Sequence, residues 1–482
     1  MPTIVTRGAV SAYAYGFTSL GSKKGWITIL YSTTSTQYVN NVSNVILNYN
    51  GTKYLYNFSL YTGTTVYYPT IELKTDGTIN LPQQSQSNAL SVSFDTRWQI
   101  IDGSNNLVQT SVYNGSQRPS LQGTNTSWSM VWAKYVSNNG PAIWDQPGAL
   151  SVDSTGNIMK AGTVDFSDCC NNYSYCYLYK FNPSGTLLYS VYFNAVGFNG
   201  YNTYIMGSVY TANTSNVVTL AYYSSNTGNS VITALNPSQN VAWSVELIRN
   251  SAYVLGGLAI TPTTDSNGYY YVVYHNQKPT QNYYTIVQWD SSGNCLWQRQ
   301  YIISTIGTES VNIPSEGASI VCDSSGNSYS ILSFNLNRSP YGQALCFVVL
   351  KYNSSGTLQW QRTFSSLYPE TLGLYPTSCV LDPTTNSLII GCKADNTGLG
   401  SSNGSAMVIK YPTDGSVTGT YAITGSTKHI VIGSTTNGYD SDPAYYVQNS
   451  NMATIAYTST NNSTTVATWT QNPWMTASVT KT

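Results

Sequence analysis

Residues 323–327 read DSSGN between the apolar runs GASIVC and SYSILSF, and 28 positions later Lys351 opens KYNSSGTLQWQRTF. In each block an Asp or Asn can accept from the backbone two residues on. Ser then fits the right-handed helical region, and Gly supplies the positive φ needed where the chain reverses between strands. The flanking runs have strand length and are rich in β-branched and aromatic residues. Read together, the two blocks are two β-hairpins, which makes four strands.

The first block recurs as DSTGN at 153–157 and DSNGY at 265–269. Asp323 follows Asp265 by 58 residues, and Asp265 follows Asp153 by 112, which is twice 56. Weaker copies lie at NYNGTKY from Asn48, DTRW from Asp95, NTSN from Asn213, DPTTN from Asp382 and QNSN around Asn449. The second block recurs as LKTDGTINL from Leu73, KFNPSGTLLY from Lys180, LNPSQNVAW from Leu235, QWDSSGNCLW from Gln288 and KYPTDGSVTG from Lys410. An aromatic residue marks the same place in the unit at Trp132, Tyr189, Trp243, Trp297 and Trp360.

A four-stranded unit repeated about every 57 residues is the signature of a β-propeller blade. Ser, Thr, Asn and β-branched residues give helices little support. A string of β-sandwiches does not account for a unit so short and regular. Counting the turn motifs predicts an all-β propeller of eight four-stranded blades, with seven as the alternative count because residues 85–136 match weakly. Three strands (AYYVQN, MATIAYT and TTVATWTQ) follow near the C-terminus without a fourth, and GWITILY at Gly25–Tyr31 looks like a fourth strand without its first three. The expectation is that the N-terminal strand 26–31 joins the last blade, so that no sheet edge remains. The chain then divides into an N-terminal arm at 1–25, a candidate assembly anchor, a propeller at 26–473 and a short tail at 474–482.

Composition narrows the function. Only 8% of residues are charged, 20 basic against 20 acidic, where about a quarter is usual; this disfavours nucleic-acid phosphate as a partner. With 41% hydrophobic residues, 42 Tyr and 11 Trp, the chain has the means to bury a core and does not read as disordered. There is no apolar run of about 18 residues to suggest a membrane helix. The opening MPTIVTRGAV lacks the basic and apolar regions of a secretory leader. Cys322, Cys346 and Cys379 lie in apolar runs, as small buried hydrophobes do, whereas Cys169, Cys170 and Cys176 cluster in a polar segment where they could pair or bind metal.

Catalysis needs converging titratable groups. His275 and His429 are the only histidines, and no G-x-S-x-G elbow accompanies them. The carboxylates outside the turns, as a glycosidase pair would require, are Glu246, Glu309, Glu316, Glu370, Asp165 and Asp168. Asp153, Asp265 and Asp323 each offer one carboxylate where calcium wants several, so each is expected to cap its own turn. No cofactor and no metal is expected.

The D-S-S-G-N-x-Y and K-Y-N-S-S-G-T-L-Q-W-Q-R patterns resemble the seven-bladed propeller repeat family of bacterial and phage surface proteins. The opening TRGAVSAYAYGFTS with its W-I strand resembles the start of virion-associated β-propeller proteins of tailed phages. That resemblance implies a non-enzymatic particle component, located in the virion, assembled in the host cytoplasm and released by lysis. Its implied partners are other virion proteins of capsid or tail and a host surface glycan or receptor, without nucleic acid or membrane insertion, in a homo-oligomer within the particle.

If strands alternate up and down within a blade, the tight turns share one face and the longer connections share the other. Loops on a rigid scaffold are where binding evolves, and Tyr with Asn and Ser gives aromatic area at low entropic cost. The candidate binding residues are Tyr173, Tyr175, Tyr201, Tyr283, Tyr284, Tyr341 and Tyr375, each with packing between blades as the competing assignment. Trp243, Trp297 and Trp360 recur at one place and read as scaffold. Lys180, Lys351 and Lys410 recur before the second turn and are expected to extend along the blade surface. Three functions follow: host-surface attachment through the loop face, a structural capsid or tail role without receptor binding, and polysaccharide cleavage.

Overall fold

The computed structural model describes residues 3–7, 10–21, 25–32, 38–47, 53–61, 66–67, 70–79, 84–85, 92–93, 99–113, 118–126, 130–137, 143–146, 149–167, 172–195, 203–210, 214–223, 230–249, 263–278, 281–301, 305–306, 309–312, 318–338, 341–370, 372–395, 404–424, 426–433, 445–449, 452–455, 465–468, 475–476 and 478–480. Among them every regular element is a β-strand.

The hairpin turns form as their residues dictate. Asp153 Oδ1 accepts from the amide and hydroxyl of Thr155 and from the Asn157 amide, at 2.7–2.9 Å. Oδ2 accepts from Asn157 Nδ2 at 3.0 Å and from Lys180 Nζ at 2.8 Å. The carboxylate thereby substitutes for the missing backbone partners of the turn, while Gly156 takes φ 83° at the reversal. Asp323 and Asp290 accept from their own turns in the same way. The expected capping role is therefore realised at these positions.

The strands assemble into seven sheets of a β-propeller. Sheet I spans 38–85, II 99–137, III 150–195, IV 203–249, V 263–301 and VI 318–366; sheet VII combines 373–412 with Trp26–Ser32. The inner strands touch one another in this order, and Gly373–Asp382 of sheet VII lies against Tyr38–Leu47 of sheet I. Between sheets VI and VII, Ile331, Val349, Phe364, Leu388, Ile390 and Ile409 are all fully buried in one cluster with Ile27. Each such side chain contributes about 1.5–3 kcal/mol by leaving water.

Two expectations of the repeat count are corrected. Trp26–Ser32 runs antiparallel to Ser405–Pro412, with Trp26 opposite Lys410 and Leu30 opposite Ala406, so the N-terminal strand completes the sheet of residues 373–412 and not the last repeat. The described strands within 445–472 do not join one another in an eighth blade: Tyr445–Asn449, Met452–Ile455 and Thr465–Thr468 pair with sheets IV, III and II respectively. Outer edge strands carry a row of unpaired backbone groups, and these segments pair with that row instead of with each other. The segment 1–25 supplies Val10–Ser19, which pairs with Trp26–Ser32, and Thr3–Arg7 beyond it. The weak motif at Asp95 lies outside the described residues; the turn that opens sheet II is Asp102–Asn106, with Asp102 Oδ1 accepting from the Ser104 and Asn106 amides.

The connections between second and third strands also differ from expectation. In sheets III, V and VI the strands extend into them, paired as far as Ser167 with Asn172, Lys278 with Gln281 and Arg338 with Gly342. Alternating Tyr, Asn and Ser satisfy strand geometry as well as loop geometry, so composition does not separate the two.

Candidate functional site

The best-defined loop cluster lies where sheets VI and VII meet. The strand Ser328–Arg338 ends on Arg338, Tyr341 forms the tip, and Gly342, at φ 104°, starts the return strand. The neighbouring link leaves Leu358–Ser366 through a turn at Leu367–Glu370, and His429 starts the strand that pairs with the outer edge of Leu358–Ser366.

Arg338 holds this cluster together. It is 2% exposed, and its guanidinium donates to Ser366 Oγ at 2.7 Å and to the Ser366 carbonyl at 2.8 Å. It also donates to the Leu367 and Glu370 carbonyls. A planar fork of donors suits such a set of carbonyls better than an ammonium would. The Glu370 side chain is held from the other side: Oε2 accepts from the His429 amide and Oε1 lies 2.8 Å from His429 Nδ1, both contacts at 2.8 Å. Sequence spacing gave no sign of this pair, since 59 residues separate the two.

On this base stand two exposed rings. Tyr341 is 52% and Tyr368 53% exposed, and their centroids lie 5.7 Å apart with planes at 90°. Edge-to-face packing is a favoured aromatic arrangement, so the pair forms a corner with two apolar faces turned to water. Tyr368 was not singled out from the sequence. Its signal is the Y-P-E stretch in a link between two strands, where an aromatic residue has no strand face to bury.

The other sequence candidates fall in several places. Tyr375 lies in Gly373–Asp382, half-buried, with Lys393 Nζ 5.7 Å from its ring centroid. Tyr284 is corrected: it is 1% exposed, donates to the Ser333 carbonyl at 3.0 Å and packs edge-on against Phe334. It shares its strand face with Ile286 and Gln288, so the two-residue period places it in the core. Burial pushes its hydroxyl well above the usual tyrosine range. Tyr173 and Tyr175 lie opposite Phe166 and Val164 in the third sheet, and Tyr283 lies opposite Asn276. Their side chains, and Tyr201 altogether, lie outside the described residues.

Of the candidate acid groups, only Glu370 has a described side chain. No cluster of three or more His, Cys, Asp or Glu suited to a metal ion occurs among the described residues. Cys176, Cys346 and Cys392 are fully buried, and burial pushes the Cys176 thiol well above its ordinary range. Cys346 and Cys379 pack in apolar clusters, Cys322 lies half-buried against one, and Cys169 and Cys170 lie outside the described residues. Lys410 departs from the expected surface course: it is 7% exposed, donates to the Thr75 carbonyl at 3.3 Å, and burial lowers its pKa.

No protein-family model matches the chain, and no curated protein matches it. Among solved structures it is similar to Drosophila Plexin A in complex with Semaphorin 1b, at 8% identity and TM-score 0.38 over 79% of this chain and 85% of that one. A polysaccharide lyase matches at 7% identity and TM-score 0.37, over 80% and 92% of the two chains. Prolyl oligopeptidase B from Galerina marginata matches at 10% identity and TM-score 0.37, over 79% of this chain and 55% of its own.

Proposed function

We propose that the protein is a non-enzymatic, seven-bladed propeller of a phage particle, one blade to each sheet and closed by the N-terminal strand, that attaches to a host-surface glycan through the corner made by Tyr341 and Tyr368. The observation that carries the binding reading is that two half-exposed rings stand at right angles on turns pinned by a buried arginine. A sugar presents apolar C–H faces that pack on an aromatic ring and hydroxyls that hydrogen-bond around it. A preorganised pair of tyrosines supplies area without the ordering cost of a mobile loop. The resemblance of the repeats to phage and bacterial surface propellers supports the particle setting. The low charge of the chain favours a neutral glycan over an acidic one.

The test is binding of the full chain to a panel of neutral oligosaccharides and to extracted bacterial surface polysaccharide, before and after the double substitution Tyr341→Ala with Tyr368→Ala. Truncating two aromatic anchors of a binding site removes about 2 kcal/mol or more, so affinity falls at least about thirtyfold while thermal stability is retained. Equal binding by both proteins overturns the reading. Shortening of the polysaccharide during incubation points instead to a cleaving enzyme.

A further inference from the structure

The hairpin that carries Tyr341 also carries an ordered array of amides. In Ser328–Arg338 the two-residue period of a strand puts Phe334 and Leu336 on one face, fully buried in a cluster with Tyr284 and Tyr301 of sheet V. Asn335 and Asn337 stand on the opposite face, half-buried. The returning strand sets Gln343 opposite Asn337, one rung in from the Arg338–Gly342 pair that bounds the tip. Asn335 Nδ2 donates to Gln343 Oε1 at 2.7 Å, and Gln343 Nε2 donates to Asn337 Oδ1 at 3.3 Å.

The amide of Gln343, an exposed residue, is thus held at both ends. Turning it over would set donor against donor at Asn335 and acceptor against acceptor at Asn337, so one orientation is selected. Bonds between side chains open to water add little to stability, and fixing a glutamine costs rotamer freedom. Fold stability therefore does not account for the array; orientation does. An amide has two donor hydrogens and two acceptor lone pairs, and among the described residues the bonds to Asn335 and Asn337 use one of each. One N–H and one lone pair of Gln343 remain, two residues along the chain from Tyr341. They sit on paired strands, which hold a group more precisely than a loop does.

We infer that Gln343 sets the specificity of the glycan site, and that the ligand is a neutral sugar whose neighbouring hydroxyls it reads as a pair, one donating to Oε1 and the other accepting from Nε2. The inference rests on the Tyr341–Tyr368 corner as the stacking surface. Aromatic faces supply contact area, while a small number of placed polar groups fixes orientation and choice of ligand. The free pair on Gln343 needs one donor and one acceptor. A carboxylate offers acceptors alone and meets only the N–H, whereas two hydroxyls meet both.

The experiment compares sugars that differ by one hydroxyl. Oligosaccharides of glucose, galactose and mannose, and monodeoxy derivatives of each, are titrated into the full chain, into Gln343→Met and into the Tyr341→Ala, Tyr368→Ala double variant. Methionine keeps the length of the side chain and removes the amide. The wild type should lose about three- to tenfold in affinity when either of two neighbouring hydroxyls is removed from its best ligand. Gln343→Met should bind that ligand more weakly by a similar factor and no longer distinguish it from those two derivatives. A merely structural role would weaken every sugar alike and leave the discrimination intact, which overturns the assignment. Discrimination unchanged in Gln343→Met, with binding lost in the tyrosine variant, overturns the role of Gln343 and leaves the corner standing. No binding of any of these sugars by the wild type overturns both.

Discussion

The indole Nε1 of Trp297 donates to the Ser354 carbonyl of the next sheet at 3.2 Å, and its ring lies flat over Gly356, where a Cβ would come within 2.6 Å. The same relation holds for Trp26 with Thr75, Trp132 with Pro183, Trp243 with Ser291 and Trp360 with Thr413. Each tryptophan thus satisfies its N–H on the turn of the following sheet and covers the glycine that closes that turn. Arg299 adds a bond from Nε to the Gly356 carbonyl at 2.8 Å, and Arg362 repeats it on Gly415. The repeat is therefore a lock between sheets as well as a unit within one.

Substituting Gly356 by Ala separates the two demands on that residue. Gly21 also has positive φ, 82°, but a Cβ there would meet nothing within 4 Å. Gly21→Ala pays only the left-handed penalty of about 1–2 kcal/mol. Gly356→Ala pays that and must displace the Trp297 ring, with overpacking costing a further 1–3 kcal/mol or so. Denaturant unfolding of both variants checks this, and equal losses contradict the lock.

Sheet IV departs from the pattern in a correlated way. Its turn carries Gln239 at φ 66° where the turns of sheets I, III, V, VI and VII carry Gly, and the facing aromatic place is held by Tyr189, which packs with Leu235 and Val241. Gln239→Gly should stabilise the protein by a few tenths to about 1 kcal/mol, since a side chain at positive φ is strained. Tyr189→Trp should destabilise alone, because its larger ring meets the Gln239 Cβ, and should become favourable when combined with Gln239→Gly. A double-mutant cycle on thermal stability reads the coupling, expected at about 0.5–3 kcal/mol. Additive effects contradict the pairing.

These relations explain what could be read in the sequence. The turns and the Trp series were legible because one residue fixes each: Gly for positive φ, Asp or Asn for the capped amides, Trp for the contact across sheets. The placement of the last repeat's strands was not, because AYYVQN and TTVATWTQ have strand composition wherever they pair, and only the edge they meet decides the sheet. Tyr284 was placed on the loop face by its neighbourhood, although its alternation with Ile286 and Gln288 already pointed inward. The Arg338 cluster joins positions 338, 366, 370 and 429, and no local pattern records a contact of that separation.

Arg338→Met tests the cluster. Its donors reach Ser366 Oγ and the carbonyls of Ser366, Leu367 and Glu370, so its loss leaves buried acceptors unmet at about 1–3 kcal/mol each for those that water cannot reach. The turn bearing Tyr368 should open locally. Hydrogen exchange at the Leu367 and Glu370 amides, which donate to the His429 and Leu367 carbonyls, should quicken at least tenfold while amides in sheets II and III are unchanged. Glycan binding should fall with it. Unchanged exchange at these two amides contradicts the anchoring role.

Acid tests the turn caps. Burial raises the Asp153 pKa, but the bonds from Lys180, Thr155 and Asn157 outweigh burial and hold the carboxyl well below the usual carboxylate range. Asp290 and Asp382 are likewise held low by hydrogen bonds against the opposing effect of burial. A depressed folded-state pKa contributes stability that is fully present above the unfolded value, near pH 4, and is lost as pH falls from there through the folded value. The protein should therefore keep its stability at neutral pH and lose it progressively below about pH 4. Asp153→Asn should cost about 1–3 kcal/mol at pH 7, where the charge-assisted bonds are complete. The two proteins should converge as pH falls below 4. A gap between them that stays constant from pH 7 to pH 2 shows that the carboxylate's charge contributes nothing to the turn and that only its shape does.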